Sequence, residues 1–437
     1  MSRQPSPPEA NSTATGAKKK ILVVECARGF AALYVLLHHA RNIGGLSTLF
    51  SGAKYPLYLL DFGPEMVLIF FFLSGFSIHY SNRHRQLDQP ADCLQYYYLR
   101  FRRIYPLFFI AIGLTLLLSM AGSLLVPKID LVTKPDASLI GTFFFLSDIH
   151  DGRWFASPAT NPALWSLSYE VVYYVLYLAF WRLFKIAGIN KAFAASLLFS
   201  AAFAGIGLSF PNHLSNVFSL YWLWTAGALL ADWRVTDKVY RVNPVIYYSL
   251  IFTAFGASRA LFRTLPAPFD LWLEGLFIGS VMMTYLLEIE PQTFRSKVVG
   301  AAVVVSLSVM LAAITGHLPV LGRHVFLDAE YFIFALVLIV VMGCGFTLRG
   351  FCSAILRPFL NSGAWSYALY VVHMPILYFL GSVFQNPYLR AAAVVMVLPP
   401  ICWLAKWLEL KVQPQITDRM DFVWSRIKPG TMASGAS

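Results

Sequence analysis

Charge is scarce in this chain. Only 13% of its 437 residues are Asp, Glu, Lys or Arg, against about 25% in an ordinary soluble domain. That shortage argues against a large soluble protein, whose surface needs charge to stay in water. Cysteine is scarce too. Cys26, Cys93, Cys344, Cys352 and Cys402 form no C-x-x-C pair, and none lies beside a histidine at metal-ligand spacing. Neither a disulfide scaffold nor a bound metal is expected. The net charge is +12, yet no Lys/Arg run interleaves with aromatics on a polar surface, which argues against a nucleic-acid partner. No nucleotide-binding motif and no internal repeat is visible.

What the sequence has is apolar length. It is 58% hydrophobic and 16% aromatic. The apolar residues fall in blocks of roughly 18–22, the length at which a helix crosses a bilayer core with its backbone polar groups satisfied internally. Twelve candidate spans follow: 21–40, 62–80, 104–125, 164–185, 192–210, 215–231, 244–262, 269–287, 298–316, 330–348, 364–385 and 391–410. The expected fold is all-α, a polytopic transmembrane helical bundle of 10–12 spans. If the N-terminus is cytoplasmic, the cytoplasmic segments hold 23 Lys/Arg and the outer links 8. That bias puts both termini in the cytoplasm. Residues 1–17 are rich in Pro, Ser, Ala and Thr and read as a disordered cytoplasmic tail. Lys18, Lys19 and Lys20 open a block with no small-residue cleavage site, which reads as a retained first span. Residues 18–411 form one membrane domain, and 412–437 a short cytoplasmic tail.

Ionisable residues inside spans are costly, so they are functional candidates. The first span carries Glu25, Arg28, His38 and His39. Arg28 and His39 are eleven residues apart. That is three turns plus about 20°, so they share a face, separated by about 16 Å. Glu25 is one turn before Arg28 and can neutralise it. His38 is rotated by about 100° from that face. A Glu25–Arg28 ion pair with interfacial histidines is the plain alternative. Ser74-Gly75 in the second span permits close helix approach. Arg100 and Arg103, spaced i, i+3 at the end of the inner link 81–103, suit phosphate groups or ordinary positive-inside anchoring. Glu170 begins the fourth span after Trp165, Ser166 and Tyr169. At a depth comparable to His39, it would orient that imidazole as acids do in catalytic triads. His373 precedes Pro375 in a later span and reads equally as a structural or a functional histidine.

Together these motifs resemble acyltransferase family 3, the polytopic enzymes that O-acylate bacterial surface polysaccharides and related glycans. The resemblance runs over roughly 20–410 through five ordered blocks: Arg28 with His39; Phe71 to Phe76; Arg100, Arg103 and Pro106; Trp165, Ser166 and Glu170; and Ser366, Tyr367, Tyr370 and His373. Glu25 stands where the family usually has Asp. Leu68 stands where many members have an acid, with Glu65 one turn earlier. Twelve spans exceed the family's usual ten, and the fused extracytoplasmic hydrolase-like domain of some members is not in this sequence. Transfer is then completed by the chain itself or with a partner.

The resemblance implies an O-acyltransferase of the bacterial cytoplasmic (inner) membrane. It would move an acyl group, most simply acetyl, from cytoplasmic acetyl-CoA as co-substrate to a hydroxyl of an extracytoplasmic or lipid-linked glycan. No permanently bound cofactor is expected, and polysaccharide-assembly proteins are possible partners. His39 would be the general base and Glu170 its companion. Arg28, Arg100, Arg103, Ser74, Glu25, Trp165, Tyr169 and His373 would contact substrate or acyl-CoA. A secondary transporter is the alternative, but such proteins often show repeated halves, whereas the polar residues here cluster in spans 1–4. A non-enzymatic component of polysaccharide export would not need His39 and Glu170 in the membrane.

Overall fold

The computed structural model describes residues 22–49, 60, 62–126, 137–148, 155–235, parts of 272–283, and 354–427. These residues are almost entirely helical. Eight segments among them are long and apolar enough to cross a bilayer, and each coincides with a span predicted from the sequence. The spans predicted at 244–262, 298–316 and 330–348, and most of 269–287, lie outside the described residues.

The principal helices are α1 (Leu22–Asn42), α2 (Gly63–Asn82), α3 (Pro90–Leu125), α4 (Trp165–Ala187), α5 (Ile189–Ser209), α6 (His213–Ser219), α7 (Tyr221–Val235), α8 (Ser366–Val383), α9 (Pro387–Trp407) and α10 (Gln413–Ile427). Their starts follow local chemistry. Proline stands in the first turn of α2, α3 and α9, where its missing N–H costs nothing. Asn212 and Ser215 close a capping box on α6. A two-residue parallel ladder, Ser147–Asp148 (β1) with Phe155–Ala156 (β2), precedes α4.

The most extensive helix pair is α2 with α7. A Cβ on Gly75 would lie 1.8 Å from the Trp224 carbonyl oxygen, and one on Gly227 2.0 Å from that of Phe72. Only glycine lets these backbones meet, the usual basis of helix pairing in lipid. Gly29 and Gly363 do the same for α1 and the 3-10 turn Ser362–Trp365.

The structure corrects the link expected at 81–103. Helix α3 starts at Pro90 and runs for 36 residues, about 54 Å at 1.5 Å per residue, well beyond a bilayer core of about 30 Å. Its first half carries Asp92, Gln95, Arg100, Arg102 and Arg103, so hydropathy alone misses it. That half is covered by α10: Tyr98 stacks on Trp424 with ring centroids 4.2 Å apart, and Arg102 pairs with Asp421. Helix α10 continues from α9 through a π-helical turn, Leu408–Val412. The segment read as a short tail from 412 is therefore helical to Ile427.

Candidate active site

Two neighbouring histidines end α1 in different states. The Nδ1 of His38 is 2.5 Å from the Leu60 carbonyl oxygen, and its Nε2 accepts from Asn42 Nδ2 at 3.1 Å. Both ring nitrogens are spent. His39 Nδ1 lies 2.9 Å from His373 Nε2, with the two rings stacked at 5.1 Å between centroids. The Nε2 of His39 has no hydrogen-bond partner among the described residues, and the side chain is only half-buried. His373 in turn is buried on α8, with Nδ1 3.0 Å from the Leu369 carbonyl oxygen. Pro375 removes the N–H that would bond the Val371 carbonyl. Asn161 Nδ2 donates to that carbonyl at 3.1 Å instead, pinning the approach to α4 against α8.

Glu170 is not with the histidines. Its Oε1 accepts from Ser74 Oγ at 2.8 Å and from the Tyr174 hydroxyl, and Trp224 Nε1 donates to the same Ser74 Oγ at 3.3 Å. Helices α4 and α8 run antiparallel, aligned by Ser166 Oγ and Tyr370 OH at 2.8 Å. Glu170 lies one turn from that contact in one direction, His373 almost one turn in the other. At 1.5 Å per residue their levels differ by about 10 Å. The expected pairing of Glu170 with His39 at equal depth is therefore corrected. Counting residues gives depth along one helix only; the offset between helices is set by packing.

Three arginines on α3 also differ. Arg102 pairs with Asp421. Arg103 pairs with Glu409, donates to Gln413 Oε1 at 3.2 Å and lies over the Tyr367 ring at 5.5 Å. Glu409 is buried and also accepts the Ala368 N–H at 2.9 Å, capping the first turn of α8. The clasp joins α3, α8 and the π turn. Arg100 has no carboxylate partner among the described residues, and its buried Nε makes no hydrogen bond. Its guanidinium lies 5.7 Å from the centre of the Tyr96 ring. Tyr96 OH donates to the Tyr174 backbone oxygen at 3.1 Å. Arg100 thus stands at the level of Tyr174 and Glu170. Arg28 reaches the same half of the bundle, 3.8 Å from Glu25 and donating to Ser77 Oγ at 3.3 Å.

A profile of the family described as an acyltransferase domain, acyltransferase family 3, matches residues 21–407. The chain belongs to acyltransferase family 3. It is an integral membrane acyltransferase. Neither a curated protein nor a solved structure matches it.

Within this acyltransferase the resembling blocks come together from distant parts of the chain: the first block meets the last through His39 and His373, and the second meets the fourth through Ser74 and Glu170. Trp165 packs edge-on to Tyr169, and Tyr169 is fully buried, donating to Asp148 Oδ1 at 2.9 Å. Asp148 is the centre of a cluster that the sequence reading did not assemble. Its Oδ2 also takes His213 Nδ1 at 3.1 Å and Asn216 Nδ2 at 3.0 Å. Burial alone would push this carboxyl up; the His213 ring, with Tyr169 and Asn216, outweighs it and holds the group below its ordinary value. Nothing in the spacing of Asp148 and His213 signals the pair. Glu409 offered a signal, a carboxylate at the end of an apolar block.

Proposed function

We propose that this family member transfers an acyl group, most simply acetyl, from cytoplasmic acetyl-CoA to a hydroxyl of an extracytoplasmic or lipid-linked glycan. The observation that carries the reading is the contrast within α1: His38 has both ring nitrogens committed, while His39 keeps Nε2 uncommitted among the described residues. A general base needs such a lone pair within reach of the hydroxyl proton. Both termini lie in the cytoplasm on the Lys/Arg bias, so His39 faces the outer half and Arg100 the inner. The cytoplasmic donor is polyanionic. Arg100, whose charge is not cancelled by a carboxylate among the described residues, meets its phosphates, with Arg28 further along its path. Arg103 is committed to Glu409 and serves the clasp. Glu170, beside Tyr174 and Ser74, lines the donor half. The bacterial cytoplasmic membrane supplies both substrates from opposite faces.

The acceptor hydroxyl gives its proton to His39 Nε2 as its oxygen bonds to the acyl carbon. The C–S bond breaks, and the sulfur takes up the proton that His39 returns. Ester and free coenzyme A thiol are the products. The test is mass spectrometry of surface glycans from cells carrying the wild-type gene, a deletion or His39→Ala. A lost acyl mass in both the deletion and the variant is expected. Unchanged glycans in the deletion strain would remove the glycan as acceptor. Orientation is read by labelling from outside, which should reach a cysteine introduced at Asp136 and not one at Gln86.

A further inference from the structure

We propose that His373 is a positioning residue that fixes the proton of His39 on Nδ1, so that Nε2 always presents its lone pair to the acceptor. This rests on His39 being the base and assigns His373 a role other than substrate contact. The argument is one of donors and acceptors. A backbone carbonyl can only accept. His373 Nδ1, 3.0 Å from the Leu369 oxygen, must therefore carry a hydrogen. In the neutral ring its Nε2 then holds a lone pair. His39 Nδ1, 2.9 Å away, must donate to it. The remaining nitrogen, His39 Nε2, is left as an acceptor.

The chain carbonyl–His373–His39 thus does the work that a carboxylate does in the Ser-His-Asp arrangement, holding one tautomer. It differs in charge. When His39 takes the hydroxyl proton, the imidazolium N–H still points at a neutral ring, and the positive charge is shared over two stacked imidazoles without a carboxylate. The geometry is rigid because His373 is buried on α8 and the neighbouring Val371 carbonyl, freed by Pro375, is tied to Asn161.

Two substitutions separate this role from plain packing. Asn at this position keeps a donor for the Leu369 carbonyl but is too short to reach His39. Gln places its amide oxygen where Nε2 stood and can accept from His39. The full-length protein is reconstituted in lipid with isotope-labelled histidine, and the His39 signal is assigned by its loss in His39→Gln. Solid-state nitrogen NMR then reads the tautomer. Wild type and His373→Gln should show His39 with Nδ1 protonated and Nε2 bare, and His373→Asn a mixture. In membranes of the expressing bacterium given radiolabelled acetyl-CoA, His373→Asn should lower the maximal rate by about 10²–10⁴, the scale of a lost base, with KM for acetyl-CoA unchanged. His373→Gln should recover at least about tenfold over Asn, consistent with a restored acceptor. A wild-type His39 protonated on Nε2, or an Asn variant as active as wild type, would overturn the proposal. If wild-type membranes transfer no label, the acceptor reading fails on its own, and the tautomer measurement still decides this one.

Discussion

The two ends of the bundle are built on the same plan with opposite chemistry. At one end, two adjacent histidines differ only in what their neighbours take from them: His38 is held by Leu60 and Asn42, and His39 keeps one nitrogen uncommitted among the described residues. At the other, three arginines within four residues differ in the same way: Arg102 and Arg103 are neutralised by Asp421 and Glu409, while Arg100 has no such partner among the described residues. In each cluster some groups are committed to protein neighbours, and the group without such a commitment among the described residues is the one able to meet a ligand. Residue type alone does not make that distinction.

The largest test of the contrast is at the histidines. His39→Gln keeps a polar side chain but cannot take up a proton, and should lower acylation by about 10²–10⁴ at unchanged membrane abundance. His38→Gln should stay within about tenfold of wild type, since its amide can serve the same neighbours at a cost of about 1 kcal/mol. Glycan mass spectrometry on both strains measures this, and near-normal acylation in His39→Gln would make it a structural histidine.

The arginines give the next effect. Arg100→Gln should raise KM for acetyl-CoA by about ten- to hundredfold, the worth of a charged hydrogen bond, with little change in melting temperature. Arg103→Gln should do the reverse. It strands the buried Glu409 carboxylate and should cost about 1–3 kcal/mol of stability, seen as a lower melting temperature in detergent. Equal KM effects from both would erase the difference drawn between them.

Asp148 sharpens the comparison from a third place, where Tyr169, His213 and Asn216 all donate to the buried carboxylate. Its carboxyl is held below the ordinary value, so its stabilisation is present above the unfolded value of about 3.9 and is lost as pH falls through the folded value. Asp148→Asn should lower stability by about 1 kcal/mol at neutral pH and flatten the loss of melting temperature in acid, leaving KM for acetyl-CoA unchanged.

The sequence by itself determined the helical membrane architecture, because a run of about 20 apolar residues has only one stable backbone in lipid. It located eight spans that the structure describes, and it marked His39, Arg28, Ser74, Arg100, Glu170 and His373 as chemistry in an apolar setting. It also placed Arg28 and His39 on one helix face, a property of 3.6 residues per turn. Only the tertiary structure decided the partners. Ser74 with Glu170, His39 with His373, and Arg103 with Glu409 are separated by 96, 334 and 306 residues. Their meeting depends on how far each helix slides against the next. Side-chain packing and close glycine contacts such as Gly75 against Trp224 fix that offset. Helical periodicity carries no information about it, which is why Glu170 was expected beside His39 and stands instead with Tyr174, at the level of Arg100.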